Sequence, residues 1–334
     1  MKPHILLIGT GGTIASVHTK DGLSPGVSAA ALLDHVASAT DFCTITPLDL
    51  FYLDSTNIET RHWLQIEACI EENYDAYDGF VICHGTDTMA YTAAALSYLV
   101  QHSPKPIVLT GAQKPIDSED TDARRNLIDS LRFASDPRAR DVSVVFQGSV
   151  ICGTHVQKER TKSFNAFVSL NLPPVAAIQD ERIFMYLSAP EGEPPVRFYH
   201  HMDTSVALVK LIPSMQPEIL KTIAASCRAL IIESYGVGGL PQYDARSFSD
   251  IVRELLDEGK IVVMTTQVPY EGSDFSIYKV SRIMQDEPNL WEAHDMTLAS
   301  VVTKLMWILS EATDREAARA LFEAPVNRDS LWFG

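Results

Sequence analysis

Two short turns rich in glycine and threonine hold the side chains best suited to chemistry. The first is GTGGTIAS, Gly9–Ser16, and the second is HGTDT, His84–Thr88. Each follows an apolar run typical of a buried strand, and open parallel sheets bind ligands at the carboxyl ends of their strands. A tight turn or a helix N-cap would explain either motif alone. Two such turns in one predicted sheet favour a shared site.

Threonine hydroxyls in these turns indicate nucleophilic chemistry. A hydroxyl is inert until a base removes its proton, and a desolvated lysine can act as that base. Lys158 and Lys162, both in GTHVQKERTK, are equally eligible by their spacing. Asp87, beside Thr86, is placed to orient an amine. The exposed amides of the first turn are suited to hold an anion or a developing oxyanion.

A dinucleotide-binding turn is the competing interpretation of the first motif. The G-x-G-x-x-G fingerprint requires glycine or alanine three residues after its second glycine. Gly9 and Gly11 are followed by Ile14, so the fingerprint fails. The sequence therefore argues against a nicotinamide-dependent dehydrogenase.

Alternating apolar runs and helical patterns predict the elements that position these turns. Such alternation is typical of a parallel sheet covered on both faces, and hence of an α/β fold. The proline-rich stretch from Tyr186 to Ser205 favours an extended connector. We expect a larger N-terminal domain over residues 1–185, a connector over 186–204, and a smaller doubly wound C-terminal domain over 205–334.

Composition and charge exclude several classes of function. The formal net charge of −16 argues against nucleic-acid and anionic-membrane partners. Five cysteines without a CxxC pair indicate reduced thiols rather than a disulfide framework or a zinc knuckle. The apolar run Ile5–Ile8 is too short for a signal peptide or a membrane span. We expect a cytoplasmic protein that acts on a small molecule.

Several motifs, in order along nearly the whole chain, resemble the bacterial L-asparaginase family and most closely its cytoplasmic type I branch. They are TGGTIAS, DGFVICHGTDTMAYTAAALSYL, IVLTGAQKP, SLNLPP and SYGVG. The resemblance implies two α/β domains and hydrolysis of L-asparagine to L-aspartate and ammonia. It also implies no metal, no organic cofactor, and a homodimer or homotetramer.

The resemblance further implies roles for individual residues. Thr13 and Thr86 match the two catalytic threonines of the family. Asp87 matches the acidic residue that binds the substrate's α-amino group. Lys158, rather than Lys162, matches the catalytic lysine. Ser55, which is preceded by Asp54, matches the serine that helps to bind the substrate's α-carboxylate. Backbone amides near Gly85, Gly12 and Ala112 are available to stabilise the oxyanion.

One departure from the family pattern falls in the loop after the first turn, where the family carries a tyrosine and this chain has Leu23. Leucine cannot donate, accept or relay a proton. Three hypotheses follow. In the first, the chain is an asparaginase in which Thr86 and Lys158 carry the first step, or in which Tyr52 or Tyr278 replaces the lost tyrosine. In the second, it hydrolyses a different small amide. In the third, it is a catalytically weak amino-acid sensor.

A second departure lies in ESYGVGGLP of the C-terminal domain. Glu233 and Gly239 stand where cytoplasmic relatives often carry arginine and asparagine, and a regulatory cysteine of those relatives aligns near Val268. Glutamate repels a carboxylate that arginine would pair with. We therefore expect no allosteric asparagine site of that type.

Two further alternatives are disfavoured. The ammonia-producing subunit of a transfer-RNA amidotransferase shares this domain but carries an additional N-terminal domain, whereas TGGTIA here begins within ten residues of Met1. His200 and His201 have no suitably spaced third ligand along the sequence, which predicts no metal site there.

Overall fold

The computed structural model describes residues 2–19, 22–188, 194–243, 247–277, 287 and 289–332. The chain divides into two compact units between His200 and His201. Among the described residues, no helix is both long and apolar enough to cross a membrane. The predicted assignment to residues 1–185, 186–204 and 205–334 stays a prediction.

An eight-stranded sheet forms the centre of the first unit, in the order β13-β12-β9-β8-β7-β5-β1-β4. Neighbours from β4 to β8 are parallel. The eight strands are β1 His4–Gly11, β4 Thr44–Leu53, β5 Gly79–Cys83, β7 Pro106–Thr110, β8 Asp141–Phe146, β9 Ser149–Cys152, β12 Ala176–Gln179 and β13 Arg182–Met185. β5 and β7 are buried along their whole length, as continuous apolar runs predict.

Three antiparallel strands, β9, β12 and β13, extend one side of this sheet. The sequence had predicted parallel pairing alone. Gln147 and Gly148, which join β8 to β9, both have positive φ, of 49° and 73°. A two-residue turn with this twist reverses the chain into a hairpin, so β9 runs antiparallel to β8.

Shorter pairs complete the strands of the first unit: β2 Ser16–Thr19 with β3 Gly22–Pro25, β6 Val100–Gln101 with β14 Arg197–Phe198, and β10 Val156–Lys158 with β11 Phe167–Ser169. The α-helices are α1 Ala29–Leu33, α2 Thr60–Asn73, α3 Met89–Leu99 and α4 Ala123–Ala134, and 3₁₀ turns cover Thr13–Ala15, Asp34–Asp41, Ser55–Asn57 and Tyr74–Ala76. Ten of the eleven α3 residues are buried, because this alanine-rich helix packs inside the unit.

The run GVSAAALLDHVASA has a helical pattern in the sequence but does not form one continuous helix. α1 is only five residues long and is followed by 3₁₀ geometry in which Val36 leaves the helical region, with φ of −131°. Val36 is buried in the core cluster beside Leu32 and Ala39. Burial of this side chain thus overrides the helical propensity of the run.

The second unit contains a four-stranded, wholly parallel sheet, β15-β16-β17-β18. Its strands are β15 Val206–Lys210, β16 Ala229–Ser234, β17 Ile261–Thr266 and β18 Leu290–Glu292, and its described helices are α5 Ile219–Ala224, α6 Phe248–Asp257, α7 Leu298–Glu311 and α8 Arg315–Glu323. Hydroxyl or carboxylate N-caps begin three of the helices: Ser247 for α6, Thr297 for α7 and Asp314 for α8. The α/β fold class predicted from the sequence is confirmed.

Candidate active site

The two glycine-threonine turns lie against each other at the carboxyl ends of neighbouring strands. β1 and β5 are parallel, with Gly9 opposite Cys83, so the segments after them leave the sheet side by side. Gly12 has φ of 77°, and a Cβ atom there would lie 2.3 Å from the backbone nitrogen of Gly85. Only glycine allows this approach. The two turns that were expected to share a site are therefore in close steric contact.

Ser55 joins the two turns from a third segment, which follows β4. A Cβ atom at Gly85 would lie 2.6 Å from Ser55 Oγ. The backbone N–H of Asp87 donates to Ser55 Oγ at 3.2 Å, and the Thr88 hydroxyl donates to the Ser55 carbonyl at 2.8 Å. Ser55 is buried, so these contacts fix the HGTDT turn against the end of β4.

A lysine, a threonine and an aspartate form the centre of the site. Lys158 Nζ, at the end of β10, donates to Thr86 Oγ1 at 2.8 Å and to Asp87 Oδ1 at 2.5 Å. The Lys158 side chain is 16% exposed and that of Asp87 57% exposed, so the lysine is enclosed while the carboxylate reaches solvent. Lys162 is exposed. The structure thus places Lys158, of the two eligible lysines, beside Thr86.

Gln113 is a site residue that the sequence analysis did not single out. Its Oε1 accepts a hydrogen bond from Thr86 Oγ1 at 3.4 Å. Its Nε2 donates to the carbonyls of Arg160 and Ser163, and its N–H donates to both carboxylate oxygens of Asp122 at 3.0 Å. The signal was its position just after β7, at the same carboxyl edge as the two turns.

His84 has a structural role in the HGTDT turn of the site. Trp63 Nε1 donates to Thr92 Oγ1 at 3.0 Å, Thr92 lies 3.0 Å from His84 Nε2, and His84 Nδ1 lies 2.7 Å from the Gly85 carbonyl. Because a carbonyl can only accept, Nδ1 carries the proton and Nε2 accepts from Thr92. Burial lowers the pKa of His84 to about 4. The ring is therefore neutral at physiological pH and holds the Gly85 carbonyl in place.

The remaining predicted residues lie at the edges of this arrangement. Thr13 begins the 3₁₀ turn directly after Gly12 and is half-buried, and Ala112 is fully buried in the segment after β7. The Asp54 carboxylate accepts from the N–H and the hydroxyl of Thr56, both at 2.9 Å, and thereby caps the turn that starts at Ser55. A capping role accounts for these Asp54 contacts.

The residues invoked for the missing loop tyrosine are only partly described. The backbone of Leu23 lies in β3, opposite His18 of β2. Tyr52 of β4 is 46% exposed, and Tyr278 lies outside the described residues. In the second unit, Glu233 is paired with Lys210 at 3.6 Å. Its carboxylate therefore already has a cationic partner.

The donor set of the site suits an amide substrate better than a cation. It presents the Asp87 carboxylate and the Thr86 hydroxyl, both within hydrogen-bonding distance of Lys158 Nζ. The adjacent lysine disfavours a metal ion, whereas hydroxyl, ammonium and carboxylate together are the groups of nucleophilic amide chemistry. Fold and site together define a two-unit α/β protein with a threonine–lysine–aspartate cluster.

The chain belongs to the asparaginase family. Residues 4–191 match the family model "Asparaginase, N-terminal", and residues 205–322 match "Glutaminase/Asparaginase C-terminal domain". The resemblance predicted from the sequence motifs is thereby confirmed.

Similar proteins cover the chain almost completely. An L-asparaginase of Thermococcus kodakarensis is 38% identical over 320 residues, 96% of each chain. L-asparaginase 1 of Escherichia coli strain K12 is 33% identical over 95% of each chain. A glutamyl-tRNA(Gln) amidotransferase component of Pyrococcus furiosus is 33% identical over 96% of this chain and 75% of its own length. The solved structure of a thermostable L-asparaginase from Thermococcus kodakarensis matches with a TM-score of 0.91, at 36% identity and over 98% of both chains.

Proposed function

We propose that this protein hydrolyses L-asparagine to L-aspartate and ammonia. The observation that carries the proposal is the contact of Lys158 Nζ with Thr86 Oγ1, at 2.8 Å, in a chain of the asparaginase family. The relatives that align over nearly their whole length are named L-asparaginase. We further propose that a threonine hydroxyl is the nucleophile and that Thr86, Asp87 and Lys158 form the catalytic cluster.

Recognition of the substrate follows from the charges at the turn. Free asparagine carries an ammonium, a carboxylate and a side-chain amide. The exposed Asp87 carboxylate is suited to accept from the ammonium, and charge-assisted hydrogen bonds of this kind are among the strongest in proteins. The Ser55 hydroxyl accepts from the Asp87 N–H, so its own proton is available to donate to the carboxylate.

Chemistry starts with attack of a threonine hydroxyl on the amide carbon, which forms a tetrahedral intermediate. Lys158 relays the hydroxyl proton, through its contact with Thr86, to the departing nitrogen, so that ammonia leaves and an aspartyl ester remains. Water then hydrolyses the ester by the same proton path. Thr86 has the lysine contact, and Thr13 stands on the facing turn, so these are the two candidate nucleophiles.

Oxyanion stabilisation falls to backbone donors at the same turns. Gly12 and Gly85 approach each other closely, and Ala112 lies in the neighbouring segment after β7. One well-placed donor at a developing oxyanion contributes ~3 kcal/mol to lowering the barrier. We assign this role to the N–H groups of Gly85 and Ala112, because the Gly12 N–H already donates to the Leu53 carbonyl at 2.9 Å.

The test is ammonia release from L-asparagine by the wild-type protein, Lys158→Met and the matched Lys162→Met. Removal of a positioned acid–base group lowers kcat by about 10² to 10⁴. We expect that loss in Lys158→Met and none in Lys162→Met. Equal activity of both variants would refute the proposed role of Lys158. Tight binding of asparagine without turnover by the wild type would instead show an amino-acid sensor.

A panel of substrates separates hydrolysis of asparagine from that of other amides. One methylene changes pocket fit by ~1–3 kcal/mol, so L-glutamine is the most informative competitor. We expect kcat/KM for asparagine to exceed that for glutamine. A higher kcat/KM for glutamine would favour a different amidohydrolase. Glutamate-linked transfer RNA would then be the next substrate to assay, because the chain is similar to an amidotransferase component.

We also infer an intracellular location and a homodimeric or homotetrameric assembly. All five cysteines are free and buried, which fits a reducing compartment. The assembly follows from the family resemblance. Light scattering coupled to size-exclusion chromatography tests it, and a monomer at the working concentration of the assay would contradict it.

A further inference from the structure

A second group of ligand-type side chains lies on α2, away from the turn residues of the candidate active site. Glu67 and Glu71 are four residues apart and thus share one face of this helix. His200, near the end of the first unit, lies against that face. One nitrogen of His200 and one oxygen of each glutamate all lie within 4.8 Å of one another.

Glu67 is the unusual member of the group because its side chain is only 2% exposed. Its Oε1 points at His200 Nδ1, 3.4 Å away, yet it accepts no hydrogen bond from any described residue. Buried carboxylates are normally hydrogen-bonded, paired or bound to a cation. Glu67 Oε1 thus has His200 as an ion-pair partner but makes no hydrogen bond, so its lone pairs are open to a cation that both side chains bind.

The spacing of the ligand atoms suits a small divalent cation. Zinc–nitrogen and zinc–oxygen bonds of about 2.0–2.2 Å in tetrahedral geometry place neighbouring ligand atoms about 3.4 Å apart. His200 Nδ1 lies 3.4 Å from Glu67 Oε1 and 3.7 Å from Glu71 Oε2. These two separations are close to the required value, and the third, between the two glutamate oxygens, is within 4.8 Å.

Charge balance leads to the same conclusion. Two ionised carboxylates carry a formal charge of −2, and like charges at i and i+4 of a helix repel each other. A divalent cation neutralises this charge, and an imidazole with two carboxylates suits a first-row transition metal better than magnesium. Glu71 and His200 are 44% and 55% exposed, so the ion has a path from solvent.

The backbone around the group is ordered independently of any ion. β14 pairs with β6, and the N–H of Tyr199 donates to the Leu99 carbonyl at 2.9 Å. Phe198 packs edge-on against Tyr74, with ring centroids 5.3 Å apart. These contacts hold the segment that carries His200 beside α2.

We propose that Glu67, Glu71 and His200 form a binding site for a divalent transition-metal ion, with Zn²⁺ as its best representative and water in the remaining position. The ion clamps the last residues of the first unit to α2. The sequence predicted no metal site at the His200–His201 pair because no third ligand lies nearby in the chain. The further ligands come from a helix more than a hundred residues earlier.

Zinc binding to chelator-treated protein, followed by competition with a chromophoric chelator, tests the site. We expect the wild type to bind one Zn²⁺ here, and His200→Asn and Glu71→Gln to bind at least about tenfold more weakly. The matched controls are His201→Asn and Glu72→Gln, whose side chains are exposed neighbours. Both should bind as the wild type does.

Circular dichroism of each variant shows that weaker binding does not reflect unfolding, and the absorption of bound Co²⁺ reports the coordination geometry. Absence of Zn²⁺ uptake in the micromolar range would overturn the proposal, as would equal affinities of the His200 and His201 variants. A preference for Mg²⁺ over Zn²⁺ would overturn the choice of metal. None of these readouts depends on hydrolysis of asparagine.

Discussion

Each unit of this protein contains an aspartate–lysine pair, and the two pairs differ in what surrounds the ammonium group. Lys304 and Asp329 in the second unit are completely buried and 2.7 Å apart. Lys304 Nζ also donates to the carbonyls of Phe322 and Ala324 at 2.7 and 2.9 Å. All three of its N–H groups thus have acceptors.

Lys158 in the first unit has fewer hydrogen-bond acceptors among the described residues. Within the described part of the chain, it donates to one hydroxyl, on Thr86, and to one carboxylate, on the exposed Asp87. A buried lysine with three acceptors stabilises structure, whereas a lysine that shares a reactive hydroxyl has a proton to exchange. The residue type and its pairing therefore do not distinguish these roles, but the identity and exposure of the acceptors do.

The largest expected stability effect sharpens this comparison. Lys304→Met leaves the Asp329 carboxylate buried without its partner, and breaking a buried pair costs about 3–5 kcal/mol. Lys158→Met should cost less than about 1 kcal/mol, because Asp87 remains in contact with solvent. Urea unfolding measures both. Partial recovery of stability in Lys304→Met/Asp329→Asn is the control, and equal losses in the two single variants would contradict the comparison.

The next effect concerns pH and the buried His84. Its pKa falls from 6.5 to about 4 on folding, chiefly through burial, so the unfolded chain binds the extra proton between these values. Its contribution to stability is therefore complete above pH 6.5 and is lost as the pH falls toward 4. Between pH 7.5 and pH 5 we expect a loss of about 2 kcal/mol from this residue.

The free energy of unfolding of His84→Gln, measured at both pH values beside the exposed-site control His201→Gln, isolates this contribution. The acid-induced loss should shrink in His84→Gln alone. Burial raises the pKa of Glu292 to about 7, so this residue changes stability in the opposite direction. Its contribution is the same in the wild type, His84→Gln and His201→Gln. The same acid-induced loss in His84→Gln and His201→Gln would show that His84 is not the group responsible.

A smaller effect is expected at Gln113, which contacts Thr86 through a hydrogen bond of 3.4 Å. A neutral hydrogen bond contributes about 1 kcal/mol, so Gln113→Ala should lower kcat/KM for asparagine roughly fivefold. Gln179→Ala, on the exposed side of β12, serves as the control and should leave kcat/KM unchanged. A loss of about 10³ in Gln113→Ala would give this residue a direct role in proton transfer.

The smallest effect is expected at Leu23. If Thr86 and Lys158 carry the first step, Leu23→Tyr changes kcat by less than about threefold, whereas restoring a needed acid–base group raises it by about 10² or more. Steady-state kinetics with asparagine separates these outcomes, with Leu23→Phe as the control for ring size. A large gain in Leu23→Tyr alone would show that this chain had lost a proton relay.

Local patterns predicted much of the fold and the two central turns. Continuous apolar runs indicated the strands now seen as β1, β5, β7 and β8, and the motifs predicted that Thr13 and Thr86 follow two strands of one sheet. The structure shows that these two strands are neighbours. The antiparallel strands were missed because the sign of φ in a Gln-Gly turn, and not the apolar run that follows, decides the strand direction.

Contacts between distant segments account for what the sequence did not show. Gln113 reaches Thr86 across 27 positions, and Lys158 across 72. Spacing alone could not choose between Lys158 and Lys162, since side-chain direction in the short strand β10 depends on its pairing with β11. The buried carboxylate of Glu67 is invisible for the same reason, because burial is a property of the packed chain.

The most direct test of the central claim is ammonia release from L-asparagine by the wild type, Thr86→Ser and Thr86→Ala. Serine keeps the hydroxyl that Lys158 Nζ contacts at 2.8 Å, and alanine removes it. We expect measurable turnover in Thr86→Ser and a loss of about 10³ in kcat in Thr86→Ala. Turnover by Thr86→Ala at the wild-type rate would show that the contact between Lys158 and Thr86 has no part in catalysis.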